Sequence, residues 1–319
     1  AASDVYKRQN LAYEGESIYN YLQVKNLSDR TILSTNVLFG VQSVTMRDKG
    51  LTGMYYDTAL AAPALADNAN SALILGMGTG TYARQLKQYY PKMNITGVEI
   101  DQKITDLAGE YFDEPADIPV TTYDGRAWLA ASHDKYDVIM VDAYQDITIP
   151  FQMSSAEFFT MVREHLNPGG VMVVNMNMIS DGQGSINEAL SDTIASVFGN
   201  GNTLTADVPN TTNRELFAKK PGSGSEENSM QQASKALNLR ETTYERTGSE
   251  DLEWYMEEVA SRFRKVNEPD SASTILTDDK APVEVLGMHA IDQIIADEAG
   301  PYRQILKDEG FGGLLRAVQ

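Results

Sequence analysis

The hydrophobic pattern of the chain changes character along its length. From Ser17 to Thr45 apolar residues recur in short runs: Ile18, Tyr19, Tyr21, Leu22 and Val24, then Ile32 and Leu33, then Val37, Phe39, Val41 and Val44. Asn26 to Arg30 separates the first two runs, and Asn36 and Gly40 punctuate the later ones, which predicts a small antiparallel β-sheet. Thr52 to Leu65 carries Tyr55, Tyr56, Leu60, Ala61 and Leu65 at helical spacing, with Pro63 bending or interrupting the helix. From Ala72 onward short apolar strands alternate with helix-period segments. The strands are Ala72 to Leu75, Ile95 to Val98, Pro119 to Tyr123, Lys135 to Val141, Val171 to Asn175, Thr203 to Val208 and Glu215 to Ala218. Helices are expected after Gly80, from Asp101 to about Phe112, and over Arg126 to Ala131, Ser154 to Leu166 and Ile186 to Phe198. Asn167-Pro168-Gly169-Gly170 reads as a turn. Seven strands alternating with helices demand a mostly parallel sheet covered on both faces. The pattern divides the chain into a β-strand unit with its connecting helix, 1–65, and an α/β domain, 66–319. Pro221 to Ser229 is a flexible stretch by composition. Beyond it Met230 to Leu239, Leu252 to Phe263 and Ile291 to Glu298 are helical by period.

The Ser71 to Asp101 stretch is the most informative. Its first strand runs into Gly76, Gly78 and Gly80, a helix follows with Tyr82, Leu86 and Tyr89 on one face, and the second strand ends in Glu99 and Asp101. This is a βαβ crossover. Glycines there let the backbone turn sharply and approach a ligand, and the helix start offers unpaired N–H groups. An acid at the tip of the second strand can accept hydrogen bonds from both hydroxyls of a ribose. The G-x-G-x-G spacing departs from the G-x-G-x-x-G of dinucleotide enzymes. It is nearer the S-adenosyl-sulfonium turn of class I methyltransferase-like folds, which makes NAD the weaker candidate.

Composition narrows the ligand. The chain has 45 acids against 26 bases, a formal charge of −19, which repels phosphate backbones and attracts cationic small molecules. Nucleic acid is therefore not an expected partner. No cysteine is present, so disulfide frameworks and zinc–thiolate sites are excluded. The three histidines, His133, His165 and His289, are widely separated, which argues against a histidine triad or a metal centre. No apolar run reaches the roughly 20 residues of a membrane span.

Ligands of open α/β sheets bind beyond the carboxyl ends of the strands. Four such ends carry Gly76-Gly78-Gly80, Glu99, Asp124-Gly125 and Asp142. Glu99 could hold ribose hydroxyls, Asp124 could accept from an exocyclic adenine amine, and Asp142 would lie nearest the reacting centre. The segments LILGMGTGT, VEID, YDGRAWL, YDVIMVDAY, IPFQMSSAEFF and NPGGVMVVN together resemble the core of the spermidine synthase (polyamine aminopropyltransferase) family. Ile74, two residues before the first glycine, matches the aliphatic residue of that family where methyltransferases usually carry an acid. Val41-Gln42-Ser43 and YYDTALAAPAL are similar to its N-terminal elements, and LTDDKAPVEVL to the C-terminal element of relatives fused behind membrane segments.

The resemblance implies a class I methyltransferase-like (Rossmann-like) α/β fold with a small N-terminal β-sheet. It further implies a cytoplasmic transferase of polyamine biosynthesis, tethered to a membrane if such a segment precedes Ala1. Decarboxylated S-adenosylmethionine would be its co-substrate and a cationic amine such as putrescine its acceptor, with no tightly bound cofactor and no metal. Gly76, Gly78, Gly80, Glu99, Asp124 and Gly125 would bind the nucleoside. Asp142 would orient and deprotonate the amine, and Gln42, Tyr55, Tyr144 and Asp146 would line the amine site. The small sheet is a candidate surface for a homodimer.

Three departures leave the substrate open. Thr79 stands where the family usually has an acid that holds the ammonium of the aminopropyl group. The Asp-x-x-Asp of the family is here Asp142-Ala-Tyr-Gln-Asp146, one residue longer, and extra residues around Lys49 to Gly53 separate Gln42 from Tyr55. An S-adenosylmethionine-dependent methyltransferase and a non-catalytic nucleoside-binding domain are the alternatives.

Overall fold

The computed structural model describes residues 10–35, 41–113, 115–143, 150–177, 184–223 and 229–280. The small sheet has four antiparallel strands in sequence order: β1 (Leu11–Glu16), β2 (Tyr21–Asn26), β3 (Arg30–Thr35) and β4 (Val41–Met46). Alternation sets its buried face, where Leu22, Val24 and Leu33 pack on Ile104, Leu107 and Phe112 at helix α4 (Gln102–Tyr111). Ile18 and Tyr19 are not strand residues but form the β1–β2 turn, and Ile18 is 90% exposed. Ser17 and Asn20 in that turn donate to Asp101 Oδ2, at 2.5 and 3.1 Å. Asp101 also caps α4 through the Lys103 N–H. The hairpin is thereby tied to the rim of the larger sheet. Val37 and Phe39 lie outside the described residues.

The larger sheet runs in the order β12-β10-β11-β9-β8-β5-β6-β7. Its parallel part is β5 (Ser71–Leu75), β6 (Asn94–Glu99), β7 (Val120–Thr122), β8 (Tyr136–Val141) and β9 (Leu166–Asn177). The antiparallel edge is β10 (Thr203–Asp207), β11 (Asn213–Lys219) and the three-residue β12 (Phe263–Lys265). All seven expected strands are present, and β12 adds an eighth at the edge. Every residue of β8 is buried, as a central strand covered on both faces requires.

One face carries helices α5 (Gly125–Ala131), α6 (Ala156–Glu164) and α7 (Ile186–Phe198), whose Leu129, Phe158, Phe159, Leu190 and Ile194 meet Leu73, Ile139, Met172 and Leu216. The opposite face is covered by α1 (Tyr55–Ala59), α2 (Ala61–Leu65), α3 (Thr81–Tyr89), α8 (Ser229–Ala233), α9 (Ala236–Thr247) and α10 (Glu250–Arg262), packed on Ile74, Met140, Val173 and Phe217.

The helix expected over Thr52 to Leu65 is two short helices broken at Leu60. Pro63 sits in the first turn of α2, where its missing N–H costs nothing, but its ring excludes a bond to the carbonyl of Ala59. That carbonyl accepts from Tyr82 Oη instead, at 2.8 Å. The Asn167 to Gly170 turn is likewise corrected. Gly169 N–H donates to the Lys220 carbonyl and Lys220 N–H to the Gly170 carbonyl, both at 2.9 Å, so the ladder with β11 continues through these residues and β9 begins at Leu166. Its extra length is absorbed as a register shift against β8.

Candidate active site

The turn between β5 and α3 is set by its glycines. Gly76, Gly78 and Gly80 all have positive φ, at 90°, 57° and 80°. At Gly76 space is the harder constraint: a Cβ there would stand 2.3 Å from the backbone carbonyl oxygen of Asp142. The chain therefore passes directly against the end of β8, to which it is joined by the Asp142 N–H bond to the Leu75 carbonyl, 2.8 Å. Ser43 of β4 accepts from the Thr79 N–H at 3.2 Å, and Thr81 Oγ1 donates to the Val44 carbonyl at 2.9 Å. The small sheet and the glycine turn thus form one rim.

At the tip of β6 the Glu99 side chain is buried. Oε2 accepts from the Gly78 N–H at 2.8 Å and Oε1 from the Asp101 N–H at 3.0 Å. Burial raises its pKa, and those two backbone donors hold the rise back. Each oxygen keeps a lone pair for a further donor. Asp124, at the end of β7, caps α5 by accepting from the Ala127 N–H at 2.8 Å. Gly76, Gly78, Glu99, Asp124, Gly125 and Asp142 line one cavity of about 240 Å³, closed by Tyr19, Gln42, Ser43 and Tyr56 from the small sheet and α1. Gly80 stands behind it as the N-cap of α3.

Asp142 follows β8 at the cavity floor. Tyr55 Oη donates to its Oδ2 at 2.7 Å, and Asn175 Nδ2 to its Oδ1 at 3.0 Å. Asn175 is fixed in turn, its Oδ1 accepting from Asn213 Nδ2 at 2.9 Å. Burial pushes the Asp142 pKa up to about 7, aided by the negative charge of Glu99 and opposed by the hydrogen bonds from Asn175, Tyr55 and Tyr56. Burial, with the Asp142 charge second, also holds Tyr55 well above an ordinary phenol, so it donates and does not ionise. The neighbouring Tyr56 ring lies 4.1 Å away, centroid to centroid, and its hydroxyl donates to the Gln42 carbonyl at 2.6 Å.

A buried carboxylate with a pKa raised to near neutrality, at the wall of this cavity, can accept a proton from a bound cation. Among the described residues no group of histidines, cysteines or acids could hold a metal ion. Tyr144 and Asp146 lie outside the described residues. Sequence reasoning missed Asn175, although it follows the apolar run VMVV as Asp142 follows VIMV. It also missed Tyr56, which lines the cavity, whereas Tyr55 stands behind Asp142 and meets the site through that carboxylate.

Fold and site together define a Rossmann-like, methyltransferase-type domain with a cavity at the carboxyl ends of its parallel strands, capped by a small β-sheet. The chain belongs to the spermine/spermidine synthase family: the model of the "Spermine/spermidine synthase domain" matches residues 54–220. Over 310 residues, 97% of this chain, it is 99% identical to a protein of Bifidobacterium longum described as a probable polyamine aminopropyl transferase, and spans 70% of that protein's length. Among solved structures it resembles a probable spermidine synthase from Corynebacterium glutamicum, with a TM-score of 0.59 at 22% identity over 83% of this chain and 98% of the other. It resembles equally, at 18% identity, a spermidine synthase in complex with the transition-state analogue AdoDATO, over 82% of this chain and 85% of that one. The family makes the chain a transferase of the polyamine aminopropyltransferase type. Among the described residues no helix is long and apolar enough to cross a membrane.

Proposed function

We propose that this site transfers the aminopropyl group of decarboxylated S-adenosylmethionine to a cationic amine such as putrescine. The observation that carries the reading is the Asp142 carboxylate. It is held by Tyr55 and Asn175 at the floor of a cavity that the adjoining Gly76 turn and Glu99 also line. The adenosine fits the donor set: Glu99 takes the ribose hydroxyls with its spare lone pairs, Asp124 and Gly125 border the adenine, and Gly76 and Gly78 let the backbone approach the sulfonium side.

The acceptor arrives protonated. Asp142, with a pKa near 7, binds the ammonium, takes its proton and leaves a neutral nitrogen aligned by the carboxylate, with Gln42, Tyr55, Tyr144 and Asp146 lining the amine site. That nitrogen attacks the methylene on sulfur. A C–N bond forms, the C–S bond breaks with its electron pair going to sulfur, and 5′-methylthioadenosine leaves as a neutral thioether. The remaining effect is positioning, which fixed strand ends supply.

A second reading draws on Thr79. It is fully buried, and among the described residues its hydroxyl has no hydrogen-bond partner, so it offers no charge to an aminopropyl ammonium. Ordinary S-adenosylmethionine, which carries a carboxylate, would not need one, and methyl transfer is the alternative chemistry. Offering both sulfonium compounds with a set of amines decides: methylthioadenosine supports aminopropyl transfer, and S-adenosylhomocysteine overturns it. The same reading places the enzyme in the cytoplasm, with the small sheet, whose β1 pairs only with β2 among the described residues, as the surface for a second copy. A monomer at high concentration in light scattering would remove the dimer.

A further inference from the structure

Glu215 is a carboxyl group in the body of an apolar strand. It is fully buried in β11, and among the described residues neither of its oxygens meets a hydrogen-bond donor. Burial raises its pKa well above the ordinary range, and the charge of Asp142 raises it further. A buried acid without a donor is costly to the fold, and nothing in the adenosine pocket described above uses it.

Its position in the sheet is informative. Val141 pairs with Val174, so Asp142 stands level with Asn175, and Asn175 pairs directly with Glu215. Alternation along each strand puts the three side chains on the face that carries Met140, Val173 and Phe217, beneath α1. Asp142, Asn175 and Glu215 therefore form a row across three adjacent strands near the ligand edge. Two strand widths separate the outer members, roughly 10 Å between Cα atoms. Asp142 lines the cavity and Glu215 lies buried behind it, and carboxyl groups at that separation match a short aliphatic chain with a nitrogen at each end.

We propose that Glu215 is a further anionic group of the amine site, binding the far ammonium of a diamine while Asp142 takes the reacting nitrogen. The proposal rests on the amine-transfer reading above and gives the far nitrogen of such a diamine a partner on β11. The Asn175 amide, already committed to Asp142 and Asn213, lies between the two acids as a neutral spacer. A second ammonium meeting Glu215 would gain a charge-assisted hydrogen bond and relieve the orphaned carboxyl at once.

The test compares putrescine with n-butylamine, using decarboxylated S-adenosylmethionine, in the unaltered chain and in Glu215→Gln. The ratio of kcat/KM for putrescine to that for n-butylamine should fall roughly 10- to 100-fold in the variant, mainly through the KM of putrescine. An unchanged ratio, including equal losses on both amines, overturns the proposal and leaves Glu215 a packing residue. Thermal shift of the unaltered chain gives a check independent of the variant's folding: putrescine should raise Tm more than n-butylamine at equal concentration, and equal shifts overturn the second cation site. If the unaltered chain forms no methylthioadenosine with either amine, the amine-transfer reading itself falls, an outcome distinct from an unchanged ratio.

Discussion

Tyr55 donates a 2.7 Å hydrogen bond to Asp142 across 87 residues of sequence, joining the helix that lies over the sheet to the carboxyl end of its central strand. The bond favours the ionised carboxylate and so opposes the rise in the pKa of Asp142. Tyr55→Phe should therefore move the midpoint of the activity–pH profile to higher pH and lower kcat roughly tenfold at neutral pH. A profile that does not move would separate Tyr55 from the proton transfer.

Asp142 also links pH to stability. Its pKa rises from 3.8 to about 7 on folding, so between those values the folded chain holds a proton that the unfolded chain has released. Its contribution to stability therefore falls as pH rises from about 4 to about 7 and is constant above. Asp142→Asn lacks this term. The Tm of the variant minus that of the unaltered protein should become more positive over that range, as followed by thermal melts at a series of pH values. A flat difference would mean that the carboxyl is not perturbed.

Glu99→Ala should weaken binding of methylthioadenosine tenfold or more, because ribose hydrogen bonds to a carboxylate are worth about 1.5–3 kcal/mol. It should also lower Tm, since the Gly78 and Asp101 N–H groups lose their acceptor. Unchanged nucleoside affinity in calorimetry would reject the ribose assignment.

Gly76→Ala places a methyl group against the Asp142 backbone at a φ of 90°. Neither strand end can retreat without breaking the bond between the Asp142 N–H and the Leu75 carbonyl, so the variant should lose nucleoside binding and several degrees of Tm. Gly53→Ala is the control: its φ is also positive, 72°, but no atom lies within 4 Å of the added methyl. A milder effect at Gly76 than at Gly53 would contradict the close approach.

The parallel sheet and most of its acid-tipped ends were legible because a buried strand is a short apolar run followed at once by a side chain at the cavity edge. Glu99 and Asp142 follow that rule, while Asp124 comes after the short, largely exposed β7 and was placed by the Asp-Gly that opens α5. Asn175 obeys it too and was passed over because an amide carries no charge to draw notice. The hydrogen bonds that make a site of these ends were not legible. Tyr55 reaches Asp142 through the packing of α1, which local periodicity cannot report, and the orphaned state of Glu215 exists only once β11 is placed beside β9. The Asn167 to Gly170 misreading has a similar origin. Pro and Gly signal a turn locally, but pairing with β11 absorbed both glycines. The three-residue β12 is too short to show alternation at all.

The central claim is that Asp142 performs the chemistry inside a nucleoside pocket, not that it braces the turn after β8. The most direct measurement takes one preparation of Asp142→Asn and determines turnover with decarboxylated S-adenosylmethionine and putrescine, affinity for methylthioadenosine, and Tm. The account predicts turnover lower by roughly 10²–10⁴-fold with a folded protein and nearly unchanged nucleoside affinity. Full turnover by a stably folded variant, or a loss of activity only in proportion to unfolding, would contradict it.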